Sequence, residues 1–319
     1  MRTPFIVAEM SASHLGDFEL AKTIVEEAAK AGADAIKLQT FTPEQMVGPL
    51  DYVVKTGPWA GQKLIDLYRK AHTPREWHKP LFDYAAKLGI EAFSTPFHPD
   101  DVAFLETLNC PRYKIASFEI TDLELIRAAA ETGKPLIVST GMATTNEILT
   151  VQDLVVEISG MVPTFLKCTS AYPADASSAN LSAMGDDWLF AGVSDHTMGI
   201  GVAVAATALG AKVIEKHLCL NRAYGGLDAG FSMEPREFKQ MVVECRRAAA
   251  AISGKGKKEA EMTEMRRSLW FAEDLPAGTQ IERRHLKVAR PAGGRNPGDL
   301  SLVVGLTLKH DVKAGNPVL

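Results

Sequence analysis

Two histidines stand at the ends of neighbouring apolar segments, where they could bind a metal ion. His196 directly follows the segment Phe190–Asp195, and His217 lies near the end of Lys212–Leu218. If these segments are adjacent parallel strands, both imidazoles reach one edge of the sheet and can share a divalent cation. Two histidines do not form the closed four-ligand shell of a structural zinc site. We therefore expect an open site completed by water and substrate oxygens, in which Glu9 or Asp195 adds a carboxylate or a contact that supports a ligand from behind.

Three lysines lie within or at the ends of apolar segments, where an unpaired charge is costly to bury. They are Lys37, Lys114 and Lys167. Because alternate residues of a strand share a face, Lys37 and Gln39 should point the same way. Hydroxyl groups end other segments and would complete a pocket for a phosphate and a carboxylate: Thr95, Ser117, Ser139 and Ser194. Two alternatives remain open: a lysine pairs structurally with Glu9, Glu119 or Glu215, or it forms a Schiff base with a carbonyl substrate.

Short segments rich in Val, Ile and Phe alternate with longer segments of helical periodicity from Phe5 to Cys219. The predicted strands are Phe5–Met10, Ala35–Thr40, Glu91–Pro96, Arg112–Ser117, Leu136–Thr140, Thr164–Thr169, Phe190–Asp195 and Lys212–Leu218. Eight strand–helix units in about 250 residues predict an α/β fold, a (β/α)₈ TIM barrel, with its active site at the C-terminal ends of the strands. A doubly wound open sheet is disfavoured, because no Gly-rich phosphate loop follows the first strand.

The pattern changes after the predicted helix Pro235–Ile252. A polar, Gly-broken stretch is followed by short strand-like pieces separated by Gly and Pro turns. We therefore predict a catalytic barrel over residues 1–253, a linker over 254–265 and a small β-rich domain over 266–319. A domain of this size is marginally stable by itself, so we expect it to lean on another surface.

The composition bounds the classes of function. The chain has 319 residues, 46% hydrophobic and 23% charged, which is typical of a soluble globular protein. A formal charge of -4 argues against general nucleic-acid binding. The four cysteines form no CxxC pair, and the N-terminus does not resemble a signal peptide. The longest apolar run, Gly199 to Ala211, is too short to span a bilayer, so we expect a cytoplasmic protein with no membrane partner.

Taken in order, the strand-end motifs resemble those of the sialic acid (nonulosonic acid) synthases. The motifs are IVAEM, KLQTF, STPF, YKIAS, STGMA, LKCTSAYP, SDHT and IEKH, and they cover nearly the whole chain. The tail resembles the small antifreeze-like (SAF, β-clip) domain of that family, best at LKVARPAGG. Within the family, LIDLYRKAHTPREWHKPLF and CTSAYP are most similar to the pseudaminic acid synthases.

The resemblance implies metal-dependent condensation of phosphoenolpyruvate with an open-chain 2,4-diacetamido-trideoxy hexose and water, giving pseudaminic acid and phosphate. The metal, Mn²⁺ or Mg²⁺ with Co²⁺ as another option, would bind His196 and His217. Glu9, Lys114 and Glu215 would be catalytic. Phosphoenolpyruvate would contact Lys37, Gln39, Thr95, Lys114, Ser117, Ser139 and Ser194, and the sugar would contact Glu119, Tyr172 and Asp228. Arg290 would enter the barrel of the second subunit in a homodimer.

The sequence departs from the family pattern at two places. Ser170 stands where neuraminic acid synthases have asparagine, so it is a candidate substrate-binding residue that speaks against N-acetylmannosamine. The loop Ser13-His14-Leu15-Gly16 replaces a more polar pattern, which removes any role of that loop's second asparagine.

Other functions stay open on the sequence alone. The chain could make N-acetylneuraminic or legionaminic acid instead. It could be a metal-dependent carbon–carbon lyase that does not use phosphoenolpyruvate, although the predicted anion pocket speaks against this. A non-enzymatic alternative, a carbohydrate- or ice-binding tail on an inert barrel, conflicts with the polar residues at every strand end.

Overall fold

The structure, a computed structural model, describes residues 3–186, 189–254 and 260–319. The chain divides into two compact units, Met1–Gly254 and Lys255–Leu319. Of the predicted linker 254–265, residues 255–259 lie outside the described residues, and Ala260–Met265 forms a 3₁₀ helix. None of the helices within the described residues is both long enough and apolar enough to cross a membrane.

The first unit is a closed barrel of eight parallel strands, which confirms the predicted fold. The strands are β1 (Phe5–Glu9), β2 (Ala35–Thr40), β3 (Glu91–Pro96), β4 (Tyr113–Ile115), β5 (Leu136–Ser139), β6 (Thr164–Cys168), β7 (Phe190–Asp195) and β8 (Val213–His217). The pairing of β1 with β8, from Phe5 opposite Val213 to Glu9 opposite His217, closes the barrel. The C-terminal ends of all eight strands therefore meet at one mouth.

Helices surround the strands. They are α1 (Phe18–Ala31), α2 (Leu64–Ala71), α3 (Arg75–Lys87), α4 (Pro99–Glu106), α5 (Leu123–Glu131), α6 (Thr145–Ser159), α7 (Ala183–Asp186), α8 (Gly201–Ala208) and α9 (Pro235–Ser253). Helix α2, which lies in the long connection between β2 and α3, was not predicted from the sequence.

Local chemistry sets the ends of α1. The Asp17 side chain accepts hydrogen bonds from the backbone N–H groups of Glu19 and Leu20, which satisfies donors that the first turn leaves free. Gly32 ends the helix at φ +90°, a left-handed conformation that glycine adopts without a steric penalty. The apolar face between these caps, including Ile24 and Val25, packs in the core against the barrel.

Strand alternation decides which side chains reach the barrel interior. In β8, Glu215 and His217 line a cavity at the mouth, whereas Ile214 packs in the apolar core between strands and helices. In β2, Lys37 lines the same cavity, and Leu38 faces the helix layer. At these positions, the alternation along one strand directs a polar side chain inward and its apolar neighbour outward.

The second unit contains β9 (Ser268–Phe271) paired antiparallel with β10 (Leu286–Ala289), and the short helix α10 (Leu300–Val303). Leu269 and Phe271 of β9 pack with Leu286 and Val303 in a small core of their own. The predicted β-rich character of the tail is confirmed.

Candidate active site

One cavity opens at the C-terminal ends of the barrel strands and collects most of the predicted site residues. Those that line it are Glu9, Lys37, Gln39, Lys114, Ser117, Glu119, Ser139, Tyr172, Ser194, His196, Glu215, His217 and Asp228. Thr95 and Ser170 do not line this cavity, and Arg290 belongs to the second unit. Residues from all over the barrel sequence thus converge because each lies in a strand or in the loop that follows it at the C-terminal end of the barrel.

The floor of the cavity is a cluster of two lysines and two glutamates, all buried. Lys37 Nζ lies 2.6 Å from Glu9 Oε2 and 3.7 Å from Glu215 Oε1. Lys114 Nζ lies 3.4 Å from the same Glu215 oxygen. Thr95 Oγ1 accepts a hydrogen bond from Lys37 at 3.0 Å, so Thr95 supports the lysine from behind. The lysines are therefore paired with Glu9 and Glu215, one of the alternatives left open by the sequence.

The pKa values of the two glutamates in the cluster are shifted in opposite directions. Burial raises the pKa of Glu9, and the negative charge of Glu215 adds to the effect although Lys37 opposes it. The pKa of Glu215 is lowered: burial would raise it, but the positive charges of Lys114 and Lys37 outweigh burial, helped by a 2.9 Å hydrogen bond from Ser194. One carboxyl thus holds a proton more readily than its neighbour, an arrangement typical of acid–base sites.

His196 and His217 lie side by side, with ring centroids 5.3 Å apart. The Nδ1–H of His196 donates to the backbone carbonyl of Thr169 at 3.1 Å, which leaves Nε2 as the lone-pair nitrogen when the ring is neutral. His217 Nδ1 is buried and makes no hydrogen bond to any described residue. Burial, and then the adjacent His196, hold the pKa of His217 well below its usual range, so this ring is neutral and able to bind a metal.

Two sequence expectations about this region are wrong, namely Asp195 as a carboxylate that faces the metal and Lys167 as a member of the lysine cluster. Asp195 does not reach the histidines' side of the strand, because its carboxylate pairs with Lys216, 2.7 Å away. Lys167 does not belong to the lysine cluster, because its ammonium lies over the Phe190 ring, 5.8 Å from the centroid, outside the cavity. Strand alternation is the reason in both cases: Ser194 and Cys168, one residue away, are the ones that face the cavity.

An aromatic wall stands beside the histidines. The Tyr172 ring lies 4.6 Å from the His196 ring and 5.0 Å from the Phe231 ring, centroid to centroid. Trp59 contacts Tyr172 at 5.8 Å, and its indole N–H donates to the backbone carbonyl of Leu227. That bond joins the long loop after β2 to the loop after β8 and holds Trp59 at the cavity.

Two further carboxyls, those of Glu119 and Asp228, line the same cavity. Burial raises the pKa of Glu119 to about 7, and its Oε2 makes no hydrogen bond to a described residue. Burial also raises the pKa of Asp228, which accepts a hydrogen bond from the Ala12 N–H at 3.4 Å. Both carboxyls are available to a ligand as donors when protonated.

The turn after β5 requires glycine. A Cβ on Gly141 would lie 2.2 Å from Ser170 Oγ and 3.0 Å from Ser117 Oγ. Ser117 Oγ instead accepts a hydrogen bond from the Gly141 N–H at 3.1 Å. Ser170 therefore packs under this turn, which explains why it is absent from the cavity lining.

Several cavity residues were missed by the sequence analysis. They are Ser11, Trp59, Leu64, Leu67, Tyr68, Phe97, Phe118, Cys168, Leu227 and Phe231. Most are apolar and resemble core residues in sequence. The amphipathic segment Leu64–Ala71 was the available indication, since its helix brings Leu64, Leu67 and Tyr68 to the cavity.

Family models, curated relatives and solved structures all relate this chain to the same group of synthases. The NeuB family model matches residues 24–258, and the SAF domain model matches residues 266–319. The pseudaminic acid synthase of Campylobacter jejuni (strain NCTC 11168) is 39% identical over 98% of this chain and 94% of its own length. The N,N'-diacetyllegionaminic acid synthase of Legionella pneumophila is 36% identical over 99% and 94%. A crystal structure of N-acetylneuraminic acid synthetase from Leptospira borgpetersenii superposes with a TM-score of 0.74 at 32% identity, covering 82% of this chain and 90% of that one.

Proposed function

The chain belongs to the NeuB family, and on this premise we propose that it condenses phosphoenolpyruvate with an open-chain 2,4-diacetamido-trideoxy hexose. The products would be pseudaminic acid and inorganic phosphate. The chain is a synthase of the transferase type, as its relatives are named. The choice of sugar rests on the 39% identity to a pseudaminic acid synthase and on the cavity's apolar wall.

The observation that carries the proposal is the placement of the histidine pair and the lysine–glutamate cluster in one cavity. An anion and an aldehyde can then be held next to each other, which a condensation requires. A carbon–carbon lyase without phosphoenolpyruvate would have no use for Lys37 and Lys114 beside the histidines.

Phosphoenolpyruvate would bind over the lysine–glutamate cluster. Burial lowers the pKa of Lys114, and the charge of Glu215 opposes that shift. When Glu9 is protonated, the ammonium groups of Lys37 and Lys114 face the single negative charge of Glu215, so the cluster attracts an anion. Ser139 Oγ is buried without a hydrogen-bond partner among the described residues, and it offers a donor to the ligand. Gln39, Ser117 and Ser194 supply further polar groups around the same space.

The histidine pair fits a divalent metal. The orphaned Nδ1 of His217 and the carbonyl-bound Nδ1 of His196 are the features expected of two imidazole ligands in an open site. Among the described residues, no group of three or more His, Cys, Asp or Glu side chains is arranged as a complete metal site. Bound there, Mn²⁺ or Mg²⁺, with Co²⁺ as an alternative, would supply Lewis-acid polarisation of the sugar aldehyde.

The chain's own residues would guide the bond changes. C3 of phosphoenolpyruvate attacks the aldehyde carbon, forming the new carbon–carbon bond and leaving positive charge at C2. Glu215, which stays ionised, stabilises that charge electrostatically. Protonated Glu9 gives its proton to the new alkoxide oxygen, and its carboxylate then takes a proton from the water molecule that adds at C2, so its raised pKa suits both steps near neutral pH. The intermediate collapses by cleavage of the bond between C2 and the phosphate-bridging oxygen. The C2 hydroxyl becomes a carbonyl as its proton passes to the leaving phosphate, whose charge Lys37 and Lys114 balance.

The sugar would lie along the aromatic wall. Trp59, Tyr172 and Phe231 offer apolar contact to the methyl groups of a deoxy sugar and its acetamido groups. Glu119 and Asp228 supply hydrogen bonds to amide or hydroxyl groups at the same end of the cavity. A fully hydroxylated sugar would leave hydroxyls unpaired against this wall, which disfavours it.

The second unit would complete the site from a second copy of the chain. The loops after six of the barrel strands expose large apolar side chains at the mouth: Leu15, Tyr52, Phe118, Met142, Met198 and Tyr224. The tail exposes Leu302 and Leu306, and the exposed Arg290 lies at the end of β10. A homodimer in which the partner's tail covers the mouth would bury both apolar sets.

The test is a substrate panel. The full-length chain is incubated with Mn²⁺, phosphoenolpyruvate and each of three sugars: the 2,4-diacetamido-trideoxy hexose, its legionaminic-type stereoisomer and N-acetylmannosamine. We expect phosphate release and a new nonulosonic acid, seen by mass spectrometry, with the first sugar fastest. Faster turnover of either other sugar would replace the proposed substrate but keep the reaction.

A further inference from the structure

An ion pair is buried behind the two histidines, on the outer face of the barrel strands. Lys216 Nζ lies 2.7 Å from Asp195 Oδ2, and the two side chains are 0% and 1% exposed. Lys216 shares its strand face with Ile214, which packs in the apolar core between strands and helices. An ammonium and a carboxylate are therefore held in a layer that is otherwise apolar.

The pair closes a ring of bonds around His196. Asp195 Oδ1 accepts a hydrogen bond from the Thr197 N–H at 2.8 Å, and Lys216 Nζ donates to the Thr197 carbonyl at 2.5 Å. The residues on both sides of His196 are thus tied to the residue that precedes His217. Both polar groups of the pair have partners, so the ring is satisfied within the chain.

The strand register turns this ring into a constraint on the histidines. Asp195 lies directly opposite Lys216 in the β7–β8 pairing, and His196 and His217 are the next residue of each segment. A bond between the first two side chains fixes the distance and relative rotation of the strand ends that carry the imidazoles. The Asp195–Lys216 pair on the outer face of the strands therefore helps to fix the 5.3 Å separation of the two imidazole rings.

Stability alone does not account for this pair. Removing an ammonium and a carboxylate from water is costly, and well-packed apolar residues of similar size often stabilise a core equally well or better. What an apolar replacement cannot reproduce is directional bonding to both backbone groups of Thr197. The contribution that distinguishes the ion pair is therefore geometric.

We propose that Asp195 and Lys216 are positioning residues that hold His196 and His217 in the arrangement needed to bind one divalent cation. The inference rests on the proposed metal role of the two histidines. Neither positioning side chain enters the cavity, so both act through the histidines and not on the substrate.

The experiment measures Mn²⁺ binding by isothermal titration calorimetry, without substrates, and thermal unfolding of the same full-length samples. The variants are Asp195→Asn, Lys216→Met and the paired apolar change Asp195→Leu/Lys216→Met. The matched control is Glu91→Gln/Arg112→Met, which removes a partly buried ion pair between the start of β3 and the residue before β4, at the opposite end of the barrel.

We expect the paired apolar variant to keep its Tm within a few degrees and to bind Mn²⁺ about 10- to 100-fold more weakly. The control should keep the wild-type Kd. A folded apolar variant with the wild-type Kd would overturn the inference while leaving the proposed function intact. If that variant does not fold, Asp195→Asn decides, since it keeps the side-chain volume: an unchanged Kd overturns the inference. A wild-type chain that binds no Mn²⁺ would contradict the metal role and this inference together.

Discussion

The ammonium of Lys114 lies 3.4 Å from Oε1 of Glu215, and both side chains are almost completely buried inside the barrel. Lys37 approaches the same oxygen at 3.7 Å, so one carboxylate oxygen serves two cations. Once Glu9 is protonated, the single negative charge of Glu215 does not neutralise the two lysines. The proposed binding of phosphoenolpyruvate depends on this excess positive charge, because the charge would attract the anion.

Replacing Lys114 with methionine should lower kcat/KM for phosphoenolpyruvate by about 10- to 150-fold. A charge-assisted hydrogen bond to phosphate contributes about 1.5–3 kcal/mol, and the variant loses it. Methionine keeps most of the side-chain volume, so the fold should persist. Lys167→Met is the matched control, because Lys167 packs over Phe190 outside the cavity. Equal kcat/KM values for wild type and Lys114→Met would place Lys114 outside the anion site.

His217→Ala should abolish turnover and leave the barrel folded, because the open site does not nucleate the fold. Activity in the wild type should likewise disappear on dialysis against a chelator and return with Mn²⁺. Initial rates and far-UV circular dichroism of the same samples check both statements. His72→Ala, at the exposed end of α2, is the control and should remain active. Full activity of the wild type in excess chelator would end the metal hypothesis.

The contribution of Glu119 to the free energy of unfolding should decrease as the pH rises from 5 to 8. Burial raises its pKa from 4.5 to about 7 in the folded state, so folding holds the proton more tightly than the unfolded chain does. Stability from this group is therefore fully present below pH 4.5 and is lost as the pH passes 7, by at most about 3 kcal/mol. Urea unfolding at several pH values should show that Glu119→Gln flattens this dependence.

The control for that measurement is Glu124→Gln, an exposed glutamate in the first turn of α5. Its pH profile should follow the wild type. Identical slopes for Glu119→Gln and wild type would mean that the Glu119 carboxyl is solvated in the folded protein.

Arg290 should act in the partner's barrel. His217→Ala and Arg290→Ala are each expected to be inactive, but a mixed dimer pairs one intact barrel with one intact tail. Mixing them under conditions of subunit exchange should restore up to about a quarter to a half of the activity, measured as phosphate release. Exchange is followed separately by mass spectrometry of differently tagged chains. Confirmed exchange without any recovery would restrict Arg290 to its own subunit or to no role.

Much of the barrel could be predicted from the sequence because burial imposes simple patterns. The β2 segment Ala35–Thr40 was predicted without error, since apolar residues flank Lys37 and Gln39 at alternate positions. Likewise, the strand ends that carry His196 and His217 follow from one rule about parallel barrels. The predicted placement of the two histidines and of Lys37 and Lys114 around a single cavity agrees with the observed geometry.

The remainder depends on contacts that sequence patterns do not encode. Strand alternation could have excluded Asp195 and Lys167 from the cavity, but only if the exact register of β6 and β7 were known. A register error of one residue exchanges the inward-facing and outward-facing side chains. Trp59 reaches the cavity through a hydrogen bond to Leu227, 168 residues away in sequence. Burial raises the pKa of Glu9, and two lysines on other strands lower that of Glu215, so neither shift could be predicted from the sequence neighbours of the residue.

The most direct test of the central claim uses phosphoenolpyruvate labelled with ¹⁸O at the oxygen that bridges C2 and phosphorus. The full-length chain is incubated with this compound, Mn²⁺ and the 2,4-diacetamido-trideoxy hexose, and the products are analysed by ³¹P NMR and mass spectrometry. We expect sugar-dependent release of phosphate that carries the label, together with an unlabelled nonulosonic acid. Phosphate release that does not depend on the sugar, or label retained in the sugar acid, would contradict the proposed condensation with C2–O cleavage.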